Sequence, residues 1–252
     1  MLVEIEDSPG IRWGRPVAEL RWQLELARLL RDPVFRGQGV PHGDGRAVVL
    51  APGFLAGDWS LVVLTRWLAR IGYRPYTCGF LGNVDCSNRA LERVERRVDA
   101  AHRRHGRRVA LVGHSRGGHF ARALAARRPG RISHAISMGA DLKRMLGISA
   151  PTRALVVAAR RAAHATRRAD APGCMTLECD CAFTRDFRRR FPEHEVRFTS
   201  IYSKGDGVVW WEGSVVPEAQ CVEVQGSHVG LVFNRDAYRA IATALAVPEL
   251  GG

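Results

Sequence analysis

Apolar residues follow two rhythms along this chain. Short, largely apolar stretches at 46–51, 73–78, 109–112, 132–138, 196–202 and 221–225 predict strands of a central sheet. Between them apolar residues recur three and four apart, as in Leu61, Leu64, Leu68 and Ile71, or Leu91, Val94, Val98 and Ala101. Phe120 with Leu124, and Tyr238, Ile241 and Leu245, continue the pattern, which predicts amphipathic helices. Strand and helix alternate, which implies a mainly parallel central sheet with right-handed crossovers and helices on both faces.

The alternation breaks twice. Residues 16–32 predict a helix ahead of the first strand, with Pro16 at its start and Pro33 at its end. Leu20, Leu24, Ala27 and Leu30 share a face that Trp22, Leu26 and Leu29 widen, against a narrow polar arc of Arg21, Glu25, Arg28 and Asp32. So broad an apolar arc is expected to be buried, packed on the pocket mouth or on a covering segment. The second break spans about 140–195, too long for a simple connection. It predicts a basic amphipathic helix at 151–168, a cysteine cluster and another basic helix at 183–191, together a small helical cap. The expected organisation is an arm at 1–45 and one α/β domain at 46–252 that carries the cap.

Composition narrows the function classes. The formal charge is +13, yet only Lys143 and Lys204 are lysine among 38 basic residues. That skew fits a bias toward arginine codons. No nucleic-acid motif accompanies it and aromatics are not interleaved with the basic clusters, so no nucleic-acid partner is expected. Peripheral contact with an anionic membrane surface fits the charge better. The chain shows no secretory signal and no apolar run of membrane-spanning length, so a cytoplasmic protein is expected. Cys78, Cys86, Cys174, Cys179, Cys181 and Cys221 contain no C-x-x-C, so no metal site is expected, and free thiols are the default in a reducing compartment. If the protein were exported, Cys78 with Cys86, and Cys174 with Cys179 or Cys181, are near enough in sequence to pair.

The chemistry concentrates in Gly113-His114-Ser115-Arg116-Gly117, between an apolar strand and an apolar helix. There Gly-x-Ser-x-Gly makes a sharp turn that raises Ser115 above the sheet edge. Asp206, flanked by Gly205 and Gly207, and His228, in Gly226-Ser-His, each follow a later strand. Ser, Asp, His is the α/β-hydrolase order, and the chemistry needs these types: a base to take the hydroxyl proton and a carboxylate to orient the base. Asp141 is the alternative acid. The turn Pro52-Gly53-Phe54-Leu55 follows the first strand, so the backbone N–H groups of Phe54 and Arg116 are the candidate oxyanion donors. His114 and His119 are too near Ser115 in sequence to act as its base. Leu55, His114, Val208, Trp210 and Val229 are candidate substrate contacts.

Through residues 48–54, 113–118, 200–206 and 226–231 the chain resembles the small bacterial lipase and esterase branch of the α/β-hydrolase superfamily. It is also similar to actinobacterial hydrolases with an extra N-terminal helix. The resemblance implies an α/β-hydrolase fold and hydrolysis of carboxylic esters of lipids or short acyl chains, with no cofactor. It departs at Pro52, where many lipases carry His; the donor there is a backbone N–H. Two alternatives remain: an acyltransferase that passes the same acyl group to an alcohol or amine, and a non-catalytic binding module on a retained fold.

Overall fold

A computed structural model describes residues 13–14, 16–166 and 179–250. Six strands form one sheet: β1 (Ala47–Ala51), β2 (Arg74–Thr77), β3 (Val109–His114), β4 (Ile132–Met138), β5 (Arg197–Tyr202) and β6 (Gln220–Glu223). Every pairing is parallel, in the order β2-β1-β3-β4-β5-β6. All residues of β1, β3 and β4 are buried, which is why they read as apolar runs: helices cover both faces.

The helices are α1 (Trp22–Arg31), α2 (Val62–Arg70), α3 (Ser87–His105), α4 (Arg116–Arg127), α5 (Ala150–Ala165), α6 (Ala182–Arg188) and α7 (Arg235–Ala246). On one face, Leu91, Val94, Phe120, Leu124, Phe183 and Phe187 from α3, α4 and α6 pack on Val49 and Leu111. On the other, Leu29, Leu64, Trp67, Tyr238 and Ile241 from α1, α2 and α7 pack on Val48, Leu50 and Ile136.

The chain leaves β1 for β2, then returns past β1 to β3, so the crossover direction reverses between β1 and β3. Loops diverge at such a reversal and open a crevice at the carboxyl ends of the strands. The register aligns those ends: Ala51 lies opposite Gly113, and Met138 opposite both His114 and Ile201. Loops after β1, β3, β5 and β6 therefore emerge side by side.

Two expectations change. The arm begins as a 3-10 helix (Pro16–Arg21) and only then becomes α1. Its buried positions are Glu25 and Leu29, while Leu20, Leu24 and Leu30 are exposed. The neighbouring loops present backbone N–H groups as well as apolar surface, and the arm turns its carboxylates toward those N–H groups. Second, α6 belongs to the core: Phe183 and Phe187 pack beside α4, with Phe120 and Phe183 in edge contact at 5.7 Å. Only α5 stands away from the sheet, with none of its described residues buried. The cysteine expectation does not change: Cys78, Cys86, Cys179, Cys181 and Cys221 are free thiols, while Cys174 and residues 1–12 lie outside the described residues.

Candidate active site

Ser115 sits between β3 and α4 with φ 53° and ψ −120°. A non-glycine residue held at positive φ is strained, and here the strain aims the hydroxyl into the crevice. The flanking glycines follow from packing. A Cβ on Gly113 would collide with the Gly117 carbonyl, and one on Gly117 would collide with the Ala51 carbonyl. The Gly-x-Ser-x-Gly spacing thus records the closeness of β1, β3 and α4.

Asp206 follows β5. Its Oδ1 accepts from the N–H groups of Val208 at 2.8 Å and Val209 at 2.7 Å. Its Oδ2 lies 2.7 Å from Nδ1 of His228, which follows β6, and both side chains are almost fully buried. Burial alone would push the imidazole pKa down; the charge and hydrogen bond of Asp206, with a contribution from Glu19, hold it above its ordinary value. Asp141 is occupied elsewhere. It accepts from the N–H groups of Lys143, Arg144 and Gly147 and so folds the 141–147 turn. Burial raises its pKa against those donors.

The oxyanion candidates face each other across the β1–β3 reversal. Arg116 contributes the first N–H of α4. Among the described residues no hydrogen bond engages the Phe54 N–H. Asn83, fully buried, fixes that turn: its Nδ2 donates to the Pro52 carbonyl at 2.9 Å and its N–H to the Ala56 carbonyl at 2.9 Å, while its carbonyl accepts from the Leu55 N–H.

Ser115, Arg116, Phe54 and Val208 line one cavity. Its remaining wall is mainly apolar: Met145, Leu146, Ile148, Val156, Phe183 and Val209, with Thr152, Thr184, Cys179 and Cys181 among the polar members. Ile148 pairs with Val209 in an antiparallel bridge, which joins the segment before α5 to the Asp206 loop.

Four expected substrate contacts lie outside that wall. His114 is buried beneath His228, ring centroids 4.8 Å apart, with its Nε2 donating to the His228 carbonyl at 3.0 Å. Burial and the neighbouring imidazole press its pKa down to about 3, so it is neutral. Leu55, at positive φ, is exposed, and Trp210 donates its N–H to the Gly147 carbonyl. Val229 is exposed beside the histidine.

Sequence reasoning missed the supports. Glu25 accepts from Ser227 N–H at 2.8 Å, and Ser203 Oγ donates to the Gly226 carbonyl at 2.6 Å. Burial raises the Glu25 pKa against its Ser227 hydrogen bonds. Glu19 meets the same loops. No residue pattern marks such partners; only the unmet backbone donors of the loops could have.

Comparison with known proteins now adds a family. Residues 90–224, more than half of the chain, match the model of the Esterase family, described as "Putative esterase". The chain belongs to the esterase family. The match takes in Ser115 and Asp206 and ends before His228. No curated protein sequence matches the chain. Among solved structures, the Bacillus licheniformis lipase BlEst2 in mature form is similar with a TM-score of 0.57 at 12% identity, over 83% of this chain and 95% of that one. A structure from the metagenome-derived lipolytic enzymes LipS and LipT reaches 0.55 at 17% identity, over 81% and 95%. MGS-MChE2, an α/β-hydrolase enzyme from a lagoon-sediment metagenome, reaches 0.51 at 16% identity, over 79% and 90%. These likenesses establish the α/β-hydrolase fold, and the family makes this esterase an ester hydrolase.

Proposed function

We propose that the protein is a serine esterase that works through an acyl-enzyme on Ser115. The observation that carries the reading is the 2.7 Å Asp206–His228 contact at the strand edge where Ser115 holds its strained turn. His228, in its neutral form, takes the Ser115 proton as Oγ attacks the ester carbonyl. The carbonyl oxygen becomes an oxyanion that accepts from Phe54 N–H and Arg116 N–H. Collapse breaks the acyl–oxygen bond, and the imidazolium returns its proton to the departing alcohol. Water, deprotonated by His228, then releases the acid. The mainly apolar wall from Met145 to Val209 supports an acyl chain, not a charged group, as the occupant.

Partner surface follows from the arm. Val17, Leu20 and Leu24 are exposed together with Arg21, Arg28 and Arg31, whereas Glu25 and Asp32 are buried. An apolar and basic face with its acids turned inward suits peripheral docking on an anionic lipid surface. Among the described residues no helix is long and apolar enough to cross a membrane.

The test is a p-nitrophenyl ester panel of graded acyl length beside Ser115→Ala, with a fluorophosphonate label mapped by mass spectrometry. Hydrolysis abolished in the variant, with label on Ser115, is expected. Hydrolysis that survives in Ser115→Ala, or label elsewhere, overturns the assignment.

A further inference from the structure

The loops that carry the acid and the base are joined at two levels. At their bases Ser203 Oγ donates to the Gly226 carbonyl and accepts from the N–H groups of Gly205 and Gly226. At their tips the bridge comes from the far end of the chain. Oε1 of Glu19 accepts from Gly207 N–H at 2.9 Å and from His228 N–H at 3.0 Å, while Oε2 accepts from Val229 N–H at 2.8 Å. Gly207 is the residue after Asp206, so one carboxylate spans both triad loops.

We infer that Glu19 is a positioning residue: it ties the Asp206 loop to the His228 loop and so holds the acid–base pair in register with Ser115. This rests on the reading of His228 as the base. Three charge-assisted hydrogen bonds from one side chain constrain both loops without touching a reacting atom. The second arm carboxylate, Glu25, grips Ser227 and fixes the arm against the same loop. Gly230 is the residue that lets it in, since a Cβ there would collide with the Glu25 carboxylate. The charge also matters. His228 faces Asp206, Glu19 and the neutral His114, and Glu25 in turn lies near both Glu19 and Arg21. Negative charge at Glu19 favours the imidazolium that forms in each transfer.

The experiment compares Glu19→Gln and Glu19→Asp with the parent on p-nitrophenyl butyrate across pH, with Ser115→Ala as control. Glutamine keeps the shape, but its amide nitrogen cannot accept the third N–H and the charge is gone. A fall in kcat of about tenfold to a hundredfold is expected, with KM within about twofold, because displaced catalytic groups cost rate more than binding. The acid limb of kcat/KM should move to lower pH in Glu19→Gln. In Glu19→Asp, which keeps the charge but cannot span both loops, kcat should fall while the limb stays. Wild-type kcat and an unmoved limb in folded Glu19→Gln overturn the inference, as does a kcat loss that only tracks the fraction unfolded. If Glu19→Gln does not fold, kcat in Glu19→Asp decides: a fall at unchanged KM supports, a wild-type value overturns. Full activity in Ser115→Ala would instead sink the triad itself, whatever Glu19 does.

Discussion

Arg116 Nη1 donates to both oxygens of Asn83, the carbonyl at 2.9 Å and Oδ1 at 3.1 Å. The residue after the nucleophile thereby grips the residue that fixes the Pro52–Ala56 turn. Arg116 Nη2 extends the grip to the Asp85 carbonyl and Ser87 Oγ. One guanidinium thus ties the two turns that carry the proposed oxyanion donors together. Asn83→Ala is expected to lower kcat about a hundredfold, near the loss from removing one oxyanion donor. It should also cost ~1–3 kcal/mol in urea unfolding, because buried partners lose their hydrogen bonds. Wild-type kcat in the folded variant would refute the link.

Ser115→Ala and His228→Ala should each reduce kcat by about 10⁴–10⁶-fold, and the double variant by little more, since the members act as a unit. Single-turnover ester cleavage by the three variants measures this. Multiplying losses would argue for independent roles.

The pH dependence has a defined sign. In the proposed mechanism His228 acts as base only when neutral, so activity should fall as pH drops through its pKa. That pKa is held above the ordinary value of about 6.5, mainly by Asp206 against the effect of burial. The acid limb of kcat/KM should therefore lie above about 6.5. Asp206→Asn should move it to lower pH and reduce kcat by about 10⁴-fold. An unmoved limb would separate Asp206 from the base.

Ile148 and Val156 line the cavity, so Ile148→Trp or Val156→Trp should shift the preferred ester toward shorter acyl chains. The loss on long chains should reach about 10–200-fold per methylene excluded. Thiol alkylation provides a second reading of the same wall. Cys78 is buried, with its pKa pushed up to about 12, and should stay unmodified. Half-buried Cys181 lines the cavity, so N-ethylmaleimide should slow hydrolysis of long esters and Cys181→Ala should protect. An acyl-length profile left intact by all three changes would place the acyl chain elsewhere.

For the arm, replacing Val17, Leu20 and Leu24 by Ser should weaken co-sedimentation with phosphatidylglycerol vesicles and leave hydrolysis of dissolved short esters unchanged. Binding by the parent should weaken with salt, as expected for basic residues on an anionic surface. Equal sedimentation of parent and variant would remove the arm as the docking face.

Strands and the elbow were legible because their causes are local. Val48 to Ala51 is a run of buried residues, and Gly113 and Gly117 advertise a close approach of backbones. The α7 stripe, Tyr238, Ile241 and Leu245, is buried as its spacing implied. The arm was not legible for a physical reason. Apolar periodicity assumes that the surface a helix covers is apolar. Here that surface includes the N–H groups of residues 207 and 227–229, so Glu19 and Glu25 turn inward and Leu20 and Leu24 outward. Asn83 was equally hidden, since nothing within its own segment shows that its amide reaches Pro52.

The Glu19–Val229 hydrogen bond joins residues 210 apart in the chain. Glu19 leaves the ribosome 210 residues ahead of its partner. The elbow around Ser115 can form from nearby segments, but the brace on His228 cannot close until residues 228 and 229 have been released. Loop closure over that span is late and slow relative to local structure. During synthesis or refolding, helix content should therefore recover before ester hydrolysis. The interval is one in which the nascent chain already displays its serine and does not yet cut.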